Sequence, residues 1–220
     1  MSKPKKTLLR IGRAENCHHH WLLLIWFVYF AFFIAVEQIV TTDYWPSHIP
    51  LDDRIPFCEH FVLFYDLWFP MLAATTLYTL FWDVDAFRKF MAYIGVAFLS
   101  TTFVYLFWHN GQDLRPAEMP NHNLLTRMVF GLYAADTNTN VCPSLHVIGC
   151  FAVSFAVFDF KYYRKRWLRI GVVVLSVLVS VSTVFIKQHS ALDILAAIPY
   201  SLLCYLIVYR LMFRKERKKA

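Results

Sequence analysis

Glycine is scarce in this 220-residue chain, at six residues, and the 15 acidic side chains are outnumbered by 22 lysines and arginines. No Gly/Ser linker, internal repeat or low-complexity tract divides the chain, so a single folded unit is the simplest organisation. Five cysteines are too few for a disulfide scaffold, and a 58% apolar content is too high for a disordered tail. The formal charge of +7 comes without any groove-reading or base-stacking motif, so it does not point to nucleic acid. No small-residue cleavage site follows the first apolar run, which is also too long for a secretory signal core. A retained first helix is expected.

What the chain has in quantity is apolar length. Crossing a hydrocarbon core takes about 20 residues, and six runs approach that, at roughly 21–41, 61–82, 88–108, 144–160, 167–186 and 191–213, the fourth being the shortest. The fold class expected is all-α: a polytopic membrane protein, a six-transmembrane-helix bundle forming one membrane domain over residues 1–220.

The basic residues set its orientation. Eighteen of the 22 lysines and arginines lie in the N-terminal tail, the second and fourth connections and the C-terminal end. Basic loops stay in the cytoplasm. Both termini are therefore expected there, with 1–20 and the basic 214–220 as cytoplasmic tails, weakly attracted to anionic headgroups. The odd-numbered connections, including 109–143, then face outward. They contain only Arg54, Arg115, Arg127 and Lys187 of the basic residues. The cell membrane is the expected location.

Against that scarcity of outward charge, three short stretches stand out: "NGQDLRP" with Arg115, "NVCPSLH" with Ser144 and His146, and "KQHSALD" with Lys187, His189 and Asp193. Topology brings all three to one membrane face. Burying a charge at the centre of a span costs about 2.5–3.5 kcal/mol on insertion scales, so such groups are explained by mutual pairing or a wet cavity. His189 and Asp193 are four apart at the expected start of the last helix and share a face. A carboxylate there fixes the tautomer of the imidazole and leaves its other nitrogen free as nucleophile or base. His146 is available as a general acid. Arg115, Lys187 and helix N-termini supply positive charge and N–H donors for an anion. These are the components for attack on a phosphate ester.

In order and spacing, "RP" at 115–116, "CPSLH" at 142–146 and "KQHSALD" at 187–193 resemble the three motifs of the type 2 phosphatidic acid phosphatase superfamily. The resemblance covers about residues 108–200. It implies that His189 is the nucleophile forming a phosphohistidine, with Asp193 its partner and His146 the acid that protonates the leaving alcohol. It also implies that Arg115 and Ser144 hold phosphate oxygens, without cofactor or metal. Three positions depart from the family pattern: Trp108 stands where a lysine is expected, Leu145 where a glycine is, and Thr183 where an arginine is. Lys187 is expected to take over part of the phosphate binding, as in the branch that resembles inositol phosphorylceramide synthases. "DRIPFCEHFVLFYDLW" before the second run resembles that branch too.

The function expected is hydrolysis of a lipid phosphate or polyprenyl diphosphate at the outer membrane face. The alternatives are phospholipid headgroup transfer and, from another class, a small transporter or lipid-binding protein. A conducting path would spread polar residues through the membrane depth; here they cluster at one face.

Plainer readings stand beside these. His189 with Asp193 would also serve as a helix-capping pair, Ser144 as an N-cap, and Arg115 as an interfacial snorkelling residue. Gln112 and Asp113 are expected to orient Arg115, and Glu37 and Asp66 to pair inside the bundle. His18, His19 and His20 are read as juxtamembrane residues. Cys58 and Cys142 both face outward, where a disulfide between them would be possible in an oxidising compartment.

Overall fold

The computed structural model describes residues 14–39, 43–118, 121–161 and 164–214. Most of both basic tails, 1–13 and 215–220, lies outside the described residues.

The chain is mostly helical. A 3₁₀ stretch, Ala14–Leu23, leads into α1 (Leu24–Ile39), followed by α2 (Val62–Asp66), α3 (Trp68–Trp82), α4 (Val84–Phe107), α5 (Leu124–Ala135), α6 (Leu145–Asp159), α7 (Arg166–Phe185) and α8 (Ala191–Tyr205). A π-helical turn, Leu206–Met212, continues α8. Among the described residues, five stretches are long and apolar enough to cross a membrane: His19–Ile39, Glu59–Trp82, Val84–Phe107, Arg166–Phe185 and Ala191–Met212. The chain is thus an all-α membrane protein.

The sixth expected run is α6, with 15 residues. At 1.5 Å per residue that is about 22 Å, short of a hydrocarbon core of about 30 Å. Its position explains its brevity: α6 packs against α3, α4, α7 and α8 and is buried over most of its surface. A helix enclosed by protein need not match the lipid thickness.

Three boundaries differ from expectation, each for a local reason. Arg88 and Lys89 belong to α4, which starts at Val84, so the second connection is little more than Asp83. Asp83 caps α4 by accepting from the Ala86 amide and ties the fourth connection to it by accepting from the Lys161 amide at 2.7 Å. The span before it is broken at Leu67, between α2 and α3. Pro70 is the cause: it has no N–H to donate and its ring crowds the carbonyl four residues earlier. The stretch 109–143 contains α5, capped by Asn123, whose side chain accepts from the Thr126 amide.

Opposite the Asp83 end, the connections interlock. Trp45–Pro46 and Asn110–Gly111 form a two-residue parallel pair. Gly111 is required there, because a Cβ would meet the Tyr44 ring at 2.6 Å. Buried Asp52 reaches across to α8, accepting from Ser190 Oγ at 2.6 Å and the Ala191 amide at 2.7 Å. Hydrogen bonds to a charged acceptor contribute about 1.5–3 kcal/mol each. Asp52→Asn, which keeps the shape but not the charge, is expected to lower the thermal midpoint in detergent by several degrees, corresponding to about 2 kcal/mol; an unchanged midpoint would show that this contact does not anchor α8.

Candidate active site

Ser144 and Ser190 start the two helices that carry the histidines. The Ser144 side chain accepts from the Val147 amide and caps α6; that of Ser190 accepts from the Leu192 amide and caps α8. The start of α6 is also held to α8, because the Ser144 amide donates to the Asp193 carbonyl at 3.2 Å. Each cap fixes the first turn behind it, and each first turn carries a site residue: His146 on α6, Asp193 on α8.

The structure brings His146, His189 and Asp193 into one hydrogen-bonded row. His189 Nδ1 lies 3.2 Å from Asp193 Oδ2, and His189 Nε2 lies 3.3 Å from His146 Nδ1. All three side chains are buried. The Asp193 carboxylate takes two further donors, the Ser190 amide at 2.9 Å and the Ser47 hydroxyl. With Asp193 accepting, the His189 proton sits on Nδ1 and Nε2 is a lone pair. His146 then donates from Nδ1, leaving His146 Nε2 buried without a partner. The helix-capping role of Asp193 and its role toward His189 therefore coexist, since separate donors reach the same carboxylate.

Two aromatic rings pack on His146, with the Tyr65 centroid 4.4 Å and the Trp68 centroid 4.6 Å from its own. Trp68 Nε1 also donates to the His146 carbonyl at 3.0 Å. Gly149, one turn on, makes room for the indole: a Cβ there would lie 2.6 Å from Trp68 Nε1.

The two cations are placed differently from expectation. Arg115 donates to the carbonyls of Tyr133, Asp136 and Thr137 and to Gln188 Oε1, at 2.7–3.2 Å, and lies over the Tyr133 ring. Burial pulls its pKa below the ordinary arginine value, with Tyr133 and Asp136 opposing. Lys187, at φ 56°, extends its ammonium to the carbonyls of Asp52 and Ile55 at 2.9 and 2.6 Å. Loss of hydration pulls its pKa below the ordinary lysine value, with Asp52 and Asp53 opposing. Neither guanidinium nor ammonium bonds to the histidine row. Gln112 does not orient Arg115; its Nε2 donates to the Lys187 carbonyl at 3.0 Å and so holds the turn that carries His189. Asp113 accepts from the Tyr44 hydroxyl instead.

A cavity of about 540 Å³ opens beside the histidines, lined by residues of α1, α2, α3, α4, α5 and the 136–146 segment. His146, Gln188 and His189 form part of its wall. Asp136 and Asp66 line it as well. Burial raises the Asp136 carboxyl, against which His189, Gln188 and Tyr65 act; Gln188 Nε2 donates to it at 2.7 Å. Glu37 and Asp66 do not pair with each other: Glu37 accepts from Thr137 and from Asn140, pinning the 136–141 segment to α1.

Several residues of this end escape a reading of motifs. Asn110 accepts from the amides of Val141 and Cys142 at 2.9 and 2.7 Å, shaping the approach to Ser144. Ser47 and Asp52 reach the start of α8 from the first connection. Their only mark in the sequence is a concentration of polar residues in "PSHIPLDDRIP". Cys58 and Cys142 are free thiols, and burial pushes that of Cys142 up to about 12. His19 packs against Phe87 and His20, and among the described residues no group of three metal-binding side chains is gathered; the side chain of His18 lies outside them.

Comparison of the chain with protein-family models, with curated proteins and with solved structures finds no match.

Proposed function

We propose that this chain is a membrane phosphatase that hydrolyses a lipid phosphate or polyprenyl diphosphate, without a metal, through a phosphohistidine on His189. The observation that carries the reading is the row Asp193–His189–His146, buried at one end of the bundle and opening on an otherwise largely apolar cavity.

The chemistry runs in two halves. Substrate phosphate displaces the His146–His189 hydrogen bond and lies between the rings. Its negative charge favours the doubly protonated form of His146. The lone pair of His189 Nε2 attacks phosphorus, the bond to the lipid oxygen breaks, and that oxygen takes a proton from His146. Asp193 stabilises the resulting cationic ring, as a carboxylate does behind a nucleophilic imidazole. In the second half, neutral His146 removes a proton from water, the water oxygen bonds to phosphorus, and the P–N bond breaks to regenerate His189. The Ser144 side chain stands at the start of α6, where helix N–H groups favour an anion. In this reading α6 is the sixth span, both termini are cytoplasmic and the site faces outward at the cell membrane.

One observation favours a second reading, transfer of a phospholipid headgroup to an alcohol. Arg115 and Lys187 are committed to backbone carbonyls, so neither of these two cations is free for a doubly charged phosphate. The same phosphoenzyme would serve, with an alcohol replacing water.

Phosphate release from a panel of lipid phosphates, by purified protein with excess chelator, tests the primary reading. Chelator-resistant release from at least one member is the expected result. No release from any member, together with release of a phosphorylated headgroup from phospholipids, would replace hydrolysis of monoesters with the second reading.

A further inference from the structure

Within the largely apolar and aromatic wall of the cavity beside the histidines, the charged side chains are acidic, an unusual lining for a site that takes phosphate. Among the described residues no lysine or arginine lines it, whereas Asp66 and Asp136 both do. Arg115 is not part of the lining; its guanidinium donates to the Asp136 carbonyl at 2.7 Å. Glu37 adds another carboxyl on the α1 side, joined to the wall through Asn140. A phosphate monoester brings about −1.5 to −2 charges at neutral pH, and a wall that offers carboxyls and no cation does not compensate them.

The polar atoms of the wall make the same point at the level of hydrogen bonds. Asn140 lines the cavity, is 5% exposed, and sits in the left-handed region at φ 57°. Its Nδ2 donates to Glu37 at 2.5 Å, which fixes the amide so that Oδ1 is the atom left over, buried and without a partner. A buried acceptor left unpaired costs about 1–3 kcal/mol, and a donor on a ligand would remove that cost. Aromatic faces complete the lining, including Tyr29, Phe33, Tyr65 and Tyr105. Carboxylates, an orphan acceptor and π faces together favour a cation.

We infer that the cavity binds the primary ammonium of a zwitterionic phospholipid headgroup, so that the phosphate presented to His189 is a phosphodiester of the ethanolamine type. Such a headgroup is neutral overall, one phosphate charge balanced by one ammonium. The ammonium occupies the part of the cavity lined by Asp66, Asn140 and the aromatic rings, while the diester phosphorus meets the histidines. This rests on the phosphohistidine and on the second reading above, in which the substrate is a phospholipid, and it names that phospholipid in place of a lipid monoester. His189 Nε2 attacks phosphorus, the diacylglycerol oxygen leaves with a proton from His146, and phosphoethanolamine remains bonded to His189 until water or an alcohol takes it and returns a proton to His146.

Binding separates this inference from the chemistry. The His189→Gln protein, in nanodiscs or mixed micelles, is to be titrated with phosphatidylethanolamine, phosphatidylcholine, phosphatidylglycerol, phosphatidylinositol and phosphatidic acid of the same acyl chains, read by native mass spectrometry. The expected result is a preference of about tenfold or more for phosphatidylethanolamine over phosphatidylglycerol and phosphatidic acid. Adding Asp66→Asn is expected to remove that preference and Asp66→Glu to keep it. Equal or tighter binding of phosphatidic acid would overturn the inference. So would a preference for phosphatidylinositol or phosphatidylglycerol, which would assign the acceptors to hydroxyl groups. Wild-type turnover of the same lipids, read as diacylglycerol formed, tests the other half. A preference for ethanolamine without cleavage would retain the headgroup site and reject the phosphohistidine; cleavage of phosphatidic acid without that preference would do the reverse.

Discussion

Turnover by His189→Gln is expected to fall by about 10⁴-fold or more, the scale on which removal of a nucleophile acts when no neighbour can replace it. The nearest other nitrogen, on His146, has no carboxylate partner. Glutamine keeps a polar side chain that can donate to Asp193, so the thermal midpoint should shift by no more than a few degrees. Residual activity within about tenfold of the wild type would remove His189 as the nucleophile, since loss of the attacking atom leaves far less.

Asp193→Asn is the second large effect, expected at about 10³–10⁴-fold in kcat, as when the carboxylate behind a catalytic imidazole becomes an amide and the ring takes the wrong tautomer. Asp193 also accepts from the Ser190 amide and from Ser47, so the substitution will lower stability as well. Ser47→Ala separates the two contributions. It removes a donor from Asp193 Oδ1 while leaving the His189 contact on Oδ2, and its expected cost is about 1–3 kcal/mol in stability with about tenfold or less in kcat. Equal losses of activity in the two variants would reduce Asp193 to a helix cap.

The parts of this arrangement that were legible in the sequence are those written by helical periodicity. His189 and Asp193 meet because four residues make one turn at the start of α8, and His146 enters the site because Ser144 caps the helix two residues before it. The apolar runs gave the long helices, with their ends shifted where a cap or Pro70 intervened. The directions of long side chains were not legible. Arg115 and Lys187 carry charge at the expected positions in the chain, yet unpaired carbonyls of the α5–α6 connection and of the first connection claim them. The left-handed backbone at Lys187, held by Gln112, has no periodic signature. Asp52, Ser47 and Asn140 act across more than a hundred residues of chain, and contacts of that range leave no local pattern. The carboxyls of the cavity lining were out of reach for the same reason, because Asp66 at the end of α2 and Asp136 after α5 line one cavity only in the folded bundle.

The covalent intermediate is the most direct test of the central claim. Wild-type protein is to be mixed with lipid substrates labelled at phosphorus and quenched in alkali within the first turnover. The peptide containing residues 187–193 is then examined by mass spectrometry. The expected result is an acid-labile, alkali-stable phosphoryl adduct on His189, absent from the His189→Gln protein. A label on another residue, or turnover by the wild type with no adduct trapped under any quench, would contradict it.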